Sequence, residues 1–378
     1  MSFGRFSRVL TNPLYILGCI VLLQMWLNLN MSFWYGVAFL MIMAYIQNVS
    51  YGLQARAGTR SSNVFHLVTA VMANLVFFVT FRYLVKGNMT LSLLPAYMFA
   101  TIFGSLHANL ASRKIENLIG ARTEAPKNQP QLLRFWPSII VLLAILVIQV
   151  TFLPSMLSPW VITGLAALTV LDNFAFAVLR LARSSDNYWF HGITALFHIS
   201  SAFLKLAIMF NYQMDWILFW PMTTGAVIGS VVGQYGARSV SDYINARFDS
   251  HVYGDKKIDL PLLQVSVFSL GMVVHLVIFG LVNWWNILLL LLCTFGQSIS
   301  FVIVSRARQR NHDGYLVWSS AFSNCLWYLT MNQLALKSIT PDKATPYLVG
   351  STVGSLTGQN VAMHIEKRVN ALMDTKTV

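Results

Sequence analysis

A short pattern of small and polar residues recurs three times along this chain, and its constant spacing limits the possible architectures more than any other feature. The copies begin at Gly104, Gly229 and Gly354, so each start lies 125 residues after the one before it. A fixed period of this length is the signature of an internal structural repeat. The sequence therefore predicts three repeat units, at residues 1–125, 126–250 and 251–378.

The composition predicts that these repeats lie in a membrane. Of the 378 residues, 56% are hydrophobic and only 10% are charged, whereas soluble proteins average about 25% charged residues. A helix needs about 20 apolar residues to cross a bilayer. We expect an all-α polytopic membrane protein with about 12 transmembrane helices, near residues 13–30, 33–54, 64–84, 91–111, 138–155, 160–180, 189–210, 215–236, 263–281, 284–304, 315–335 and 346–363.

Twelve spans divided among three repeats give four helices per repeat. An even number of spans returns the chain to the side on which it started, so successive repeats have the same orientation in the membrane. Parallel repeats are related by an axis along the membrane normal, whereas inverted repeats share an axis in the membrane plane. The predicted architecture is therefore three parallel four-helix repeats around a pseudo-threefold axis.

The net charge of +13 is explained by the side of the membrane on which the basic residues fall. If the N-terminus is inside, the only basic residues in the outer segments are Arg82, Lys86, Lys337 and Lys343. This asymmetry is the positive-inside bias of proteins in an inner or plasma membrane. We expect a multi-pass protein of that membrane with cytoplasmic N- and C-termini, and no nucleic-acid partner.

The second helix of each repeat carries a polar pair at one position of the 125-residue register: Gln47-Asn48, Asp172-Asn173 and Gln297-Ser298. Counting from the outer helix end at about 1.5 Å per residue places each pair about 20 Å deep. Polar groups at that depth should face protein or water because lipid cannot hydrate them. One interpretation is a polar ring around a solute pathway, and the other is a set of hydrogen bonds between helices.

Asp172 is the only acidic residue predicted inside the bilayer, and an ionisable group there is a functional candidate. We expect it to bind a proton or a cation during transport. Lys205 is also peculiar to the second repeat, since Thr80 and Thr330 occupy the corresponding positions. The depths of Asp172 and Lys205 differ by about 12 Å on the same count. The sequence therefore favours a Lys205 side chain that extends to the outer interface over a pair with Asp172.

The fourth helix of each repeat contains the pattern that defines the period. Small residues at four-residue spacing form a flat groove for close helix packing, and here they are Gly104 and Ala108, Gly229 and Gly233, and Gly354 and Gly358. The amides of Asn109, Gln234 and Gln359 adjoin the groove and are candidates for a second part of the solute pathway.

Sequence motifs for ATP binding, dinucleotide binding and zinc proteolysis do not occur in the chain. We expect no enzymatic activity, no cofactor and no metal site. The best hypothesis is a transporter of a small polar solute, coupled to a proton or cation through Asp172.

Two alternatives remain open, a membrane scaffold with a cationic cytoplasmic face and a passive pore. They differ in whether Gln47, Asp172 and Gln297 line a cavity, pack dry against one another or line an open channel.

Overall fold

The fold was analysed in a computed structural model that describes residues 31–57, 63–86, 89–119, 158–184, 188–247, 260–280, 283–309, 313–335 and 339–374. Within these ranges the regular structure is entirely helical. The predicted spans 13–30 and 138–155 lie outside the described residues.

The described part contains ten α-helices. They are α1 (Met31–Ala57), α2 (Asn63–Lys86), α3 (Leu94–Ile119), α4 (Pro159–Ser184), α5 (Tyr188–Asn211), α6 (Phe219–Arg247), α7 (Leu260–Phe279), α8 (Trp284–Gln309), α9 (Asp313–Ala335) and α10 (Ala344–Asp374).

A short 3-10 helix directly precedes α3, α6 and α10, at Leu91–Leu93, Trp216–Leu218 and Pro341–Lys343. Their first residues, 91, 216 and 341, are 125 residues apart in both intervals. Local chemistry favours these turns: the Asp215 side chain accepts a hydrogen bond from the Ile217 amide at 3.1 Å, and Pro341 begins the third. Both features are typical of helix N-termini, where amides lack partners and proline costs no hydrogen bond.

Seven of the described helices contain a segment that is long and apolar enough to cross a membrane. These segments are Trp34–Ala57, Val68–Lys86, Leu91–Ser112, Pro159–Leu179, Phe190–Asn211, Trp216–Gly233 and Trp284–Ala307. The apolar part of α7 is shorter, Gln264–Phe279. Helices α9 and α10 coincide with predicted spans but are less apolar, since serine, threonine and amide side chains occupy their buried faces, among them Ser320, Ser323, Ser351, Ser355 and Gln359.

Three helix pairs, α1 with α3, α4 with α6 and α8 with α10, pack with very close backbones. A Cβ added at Gly229 of α6 would lie 2.8 Å from the Val170 Cα of α4. One added at Gly354 of α10 would lie 2.9 Å from the Phe295 Cα of α8. Glycine is needed at both positions because any side chain would meet the backbone of the neighbouring helix.

Further contacts connect these pairs into a closed ring. Helix α2 packs against α6, α5 packs against α10, and α9 packs back against α3. The contacts are therefore head-to-tail, since at each of the three junctions α2, α5 or α9 meets a helix of the other set, α6, α10 or α3.

An apolar cluster fills the centre of this ring near the ends of α2 and α5. The Phe81 ring of α2 lies 5.3 Å from the Phe210 ring of α5 and 5.9 Å from the Trp327 ring of α9. Polar contacts border the cluster: Arg82 donates to the Met214 carbonyl at 2.8 Å, and Tyr328 donates to the Thr90 carbonyl at 2.7 Å. Side chains from α2, α5 and α9 therefore close this end of the ring.

Candidate functional site

A cluster of three ionisable side chains lies between α4 and α5. The Asp172 carboxylate of α4 is buried, with the residue only 6% exposed. Its Oδ2 atom forms an ion pair with the Lys205 ammonium of α5, and its Oδ1 atom lies 3.0 Å from the His198 Nδ1 atom. His198 and Lys205 are seven residues apart on α5, which places them on the same face of the helix. We call Asp172, His198 and Lys205 the charge cluster.

The prediction that Lys205 extends away from Asp172 is wrong, because the two side chains are in direct contact. A count of residues measures the depth of Cα atoms and ignores the direction of side chains. Side chains on a helix lean toward its N-terminus. Helices α4 and α5 are consecutive and traverse the bundle in opposite directions, so the two side chains lean toward each other and close the predicted gap. The seven-residue spacing between His198 and Lys205 was the sequence signal for a shared face.

The imidazole of His198 is oriented by two oxygen atoms of Asp172. Its Nδ1 atom lies 3.3 Å from the Asp172 backbone carbonyl as well as 3.0 Å from the carboxylate. Both oxygens are acceptors, so Nδ1 carries the hydrogen and Nε2 keeps its lone pair in the neutral ring. The Phe176 ring packs 5.3 Å from the imidazole. The tautomer therefore follows from the contacts of Nδ1.

The two basic side chains are more accessible than the acid they surround. The side chains of His198 and Lys205 are 21% and 12% exposed, compared with 8% for Asp172. Charged groups within a membrane protein normally face the interior of the bundle or a water-filled cavity, because exposure to lipid is costly. The carboxylate is therefore the most covered of the three ionisable groups.

The positions 125 residues before and after Asp172 and Lys205 are neutral. Gln47 and Gln297 are 3% and 6% exposed, and their Oε1 atoms have no hydrogen-bond partner among the described residues. Thr80 and Thr330, which match Lys205 in the register, donate to carbonyls within their own helices, both at 2.8 Å. In the described part of the chain, only Asp172 and Lys205 place a carboxylate and an ammonium at these positions of the 125-residue register.

In two of the three polar pairs, the second residue accepts a hydrogen bond from another helix. Ser105 of α3 donates to Asn48 at 3.4 Å, and Ser230 of α6 donates to Asn173 at 3.3 Å. Ser298 of α8 is buried at 8% exposure. For Asn48 and Asn173, these contacts correspond to the interpretation in which the polar groups are hydrogen bonds between helices.

The structure does not bring the predicted polar ring together by direct contacts. No hydrogen bond or ion pair between described residues joins Gln47, Asp172 and Gln297 to one another. Gln359 is fully buried on α10. Asn109 and Gln234 belong to α3 and α6, but their side chains lie outside the described part.

The predicted packing residues lie at the contacts of α3 with α1, α6 with α4 and α10 with α8. They are Gly104 and Ala108 on α3, Gly229 and Gly233 on α6, and Gly354 and Gly358 on α10.

Among the described residues, no group of three or more histidine, cysteine, aspartate or glutamate side chains is arranged to hold a metal ion. The charge cluster contributes only Asp172 and His198 to such a set, and the Lys205 ammonium would repel a bound cation. The site is better suited to protons and to groups that pair with an ammonium.

Together, the fold and the site define an all-helical, multi-pass membrane protein with a charge cluster buried between two membrane-spanning helices. Comparison of the chain with protein-family models, with curated proteins and with solved structures gives no match.

Proposed function

We propose that this protein is a transporter of a small polar solute in an inner or plasma membrane, and that the charge cluster couples movement of the solute to a proton or cation. The observation that carries the proposal is the buried ion pair of Asp172 and Lys205, with His198 on the same carboxylate. The transporter acts without enzymatic chemistry of its own.

The energetic cost of the charge cluster supports a functional role. Moving an ammonium and a carboxylate out of water costs several kcal/mol for each ion, and apolar residues of similar volume often give equal or greater stability. The other two repeats hold neutral residues at these positions. Helix packing alone therefore gives no reason for charges in one repeat, whereas binding and release of an ion does.

We further propose that the chain forms three parallel four-helix repeats around a pseudo-threefold axis, with both termini in the cytoplasm. The recurrence of the 3-10 helices at residues 91, 216 and 341 supports this architecture. So does the head-to-tail ring of α2 with α6, α5 with α10 and α9 with α3.

The alternatives of a passive pore and a scaffold have less support. A pore would expose Gln47, Asp172 and Gln297 to water, but these residues are only 3%, 6% and 6% exposed. A scaffold would satisfy their polar atoms within the bundle, but each of the three has a buried oxygen without a hydrogen-bond partner among the described residues. The aromatic cluster around Phe81 closes one end of the ring, as alternating access requires of a transporter in one of its states.

Uptake by reconstituted vesicles tests the transport function. We expect the wild-type protein to accumulate one or more members of a panel of labelled anionic, cationic and neutral metabolites under an imposed proton or sodium gradient. Asp172→Asn should abolish gradient-driven accumulation, because the neutral amide cannot pair in turn with one cation and then another as the carboxylate does. Asp215→Asn is the matched control, since asparagine also caps a helix, and it should transport normally. A wild-type protein that moves no solute under any gradient would disprove the proposal.

Thiol labelling tests the buried position of the polar residues. Cysteine placed singly at Gln47, Asp172 or Gln297, in a chain whose three native cysteines are replaced by alanine, should react slowly with a membrane-impermeant maleimide. Cysteine at the exposed Ser158 should react rapidly and serves as the positive control. Labelling of cysteine at Gln47 or Gln297 should increase several-fold during transport, whereas the chain with cysteine at Asp172 lacks the carboxylate and should show no such increase. Rapid labelling of all three without solute or gradient would instead indicate an open pore.

A further inference from the structure

We infer that the transported solute is a small monovalent anion held by the Lys205 ammonium, and that His198 takes up the proton that accompanies it. The inference rests on the transport function proposed above and names the class of substrate. It is carried by the geometry of the charge cluster, in which two nitrogen bases share one buried carboxylate.

The balance of charge determines which ligands the cluster accepts. With a neutral imidazole, the Asp172 carboxylate and the Lys205 ammonium cancel, and the cluster has no net charge. An uncompensated charge in a buried site is very costly. A cation would leave the cluster positive unless Lys205 lost a proton, whereas an anion that arrives with one proton leaves it neutral. The bases outnumber the acid, so the second outcome is favoured.

The contacts of His198 define where the proton goes. Nδ1 donates its hydrogen to the Asp172 backbone carbonyl at 3.3 Å and lies 3.0 Å from Oδ1 of the carboxylate, so the lone pair for an incoming proton is on Nε2. The side chain is 21% exposed, which gives a proton access to the ring.

Protonation then changes the partner of Lys205. One proton adds to Nε2, and the resulting imidazolium becomes the counter-ion of Asp172 through the existing contact at Oδ1. The ammonium of Lys205 leaves Oδ2 and pairs with the anion. The only covalent change is the new N–H bond on His198, and the total charge stays at zero. Release of the anion and of the proton on the other side restores the ion pair of Asp172 and Lys205.

The helices packed around the cluster contribute no second described carboxylate to it. On α10, which packs against α5, Tyr347 lies with its ring 5.4 Å from Phe203. His191 of α5 bonds to Ser355 of α10 at 2.8 Å and so faces that helix. On α6, which packs against α4, the side chains of Arg238 and Asp242 lie outside the described part. Among the described groups, His198 is therefore the one that can replace Lys205 as the counter-ion of Asp172.

Calorimetric titration of the purified full-length protein in detergent tests the inference, with acetate as the anionic probe and tetramethylammonium as the cationic probe. Comparison of buffers with different ionisation enthalpies gives the protons exchanged, and we expect uptake of about one proton per acetate, with affinity falling as the pH is raised. Tetramethylammonium should not bind. Binding of the cation with release of a proton would overturn the inference.

Two substitutions in the cluster should act in opposite directions on acetate affinity. His198→Gln should weaken binding at least about tenfold at pH 6.5 and abolish proton uptake, because the ion pair can no longer be relieved by protonation. Asp172→Asn should strengthen binding about tenfold at pH 8 and also abolish proton uptake, because Lys205 is then always without a counter-ion. If the charge cluster were purely structural, both variants would bind acetate more weakly than the wild type, and that result would contradict the inference.

Further variants guard against indirect effects. Asp172→Asn combined with Lys205→Gln, which makes the cluster neutral, should remove acetate binding. His364→Gln, at an exposed position on α10, is the control for the histidine change and should bind as the wild type does. Acetate binding with proton uptake by a protein that transports nothing would refute the transport function and leave the anion site. Transport of a cationic or neutral solute without acetate binding would refute the anion site and leave the transport function.

Discussion

Replacing Lys205 with methionine is expected to destabilise the protein by about 3 to 5 kcal/mol, because the substitution leaves the Asp172 carboxylate buried without its ammonium partner. Methionine keeps most of the volume and the flexibility of lysine, so the loss reports the charge and not a cavity. The measurement is the midpoint of unfolding in mixed micelles as the fraction of denaturing detergent is raised.

Adding Asp172→Asn to the Lys205→Met variant should recover most of this loss. The double variant has no buried charge, and neutral replacements of buried ion pairs are often as stable as the original pair. Thr330→Val is the matched control, because Thr330 lies 125 residues after Lys205 at the matching position of the register. It should destabilise the protein far less than Lys205→Met does. A double variant that is no more stable than Lys205→Met would mean that the ion pair is not the origin of the loss.

Gly354→Ala is expected to destabilise the protein by about 1 to 3 kcal/mol through overpacking. The added methyl group would meet the backbone of Phe295, with its Cα only 2.9 Å away, and a backbone cannot move aside as a side chain can. The α8 and α10 helices would have to separate along their contact. The measurement is again detergent-induced unfolding, together with the yield of folded protein after purification.

Gly164→Ala is the matched control for this prediction. Gly164 also lies within a membrane-spanning helix, α4, but a Cβ added there would have nothing within 4 Å. Alanine is favoured over glycine in a helix, so this variant should be as stable as the wild type or gain about 0.5 to 1 kcal/mol. Equal losses at Gly354 and Gly164 would show that the cost arises from the helix itself and not from the contact between α8 and α10.

The positions of the described helices could be predicted well from the sequence. The expected spans 33–54, 91–111 and 284–304 fall within Met31–Ala57, the segment from Leu91 to Ile119 and Trp284–Gln309. Long apolar stretches form helices in a membrane because each backbone amide must find a partner within its own segment. That requirement acts locally, so composition was sufficient to predict it.

The candidate site was predicted only in part. Asp172 stood out because it interrupts an apolar stretch and differs from Gln47 and Gln297 at the same position of the register. Lys205 was assigned to the interface because its depth was counted along the helix axis, which omits the opposite lean of the two side chains. His198 was not among the predicted site residues, because its contact with Asp172 depends on how α4 and α5 face each other.

The sequence by itself therefore determined that this chain is a helical membrane protein, that a small-residue pattern recurs at intervals of 125 residues, and that Asp172 and Lys205 stand where the matching positions are neutral. Each of these is a property of composition or spacing. The tertiary structure alone decided that α9 packs back on α3 to close a ring, and that Lys205 and His198 share the Asp172 carboxylate. Those results depend on the relative rotation of helices, because a buried charge selects whichever partner the packing brings within contact distance.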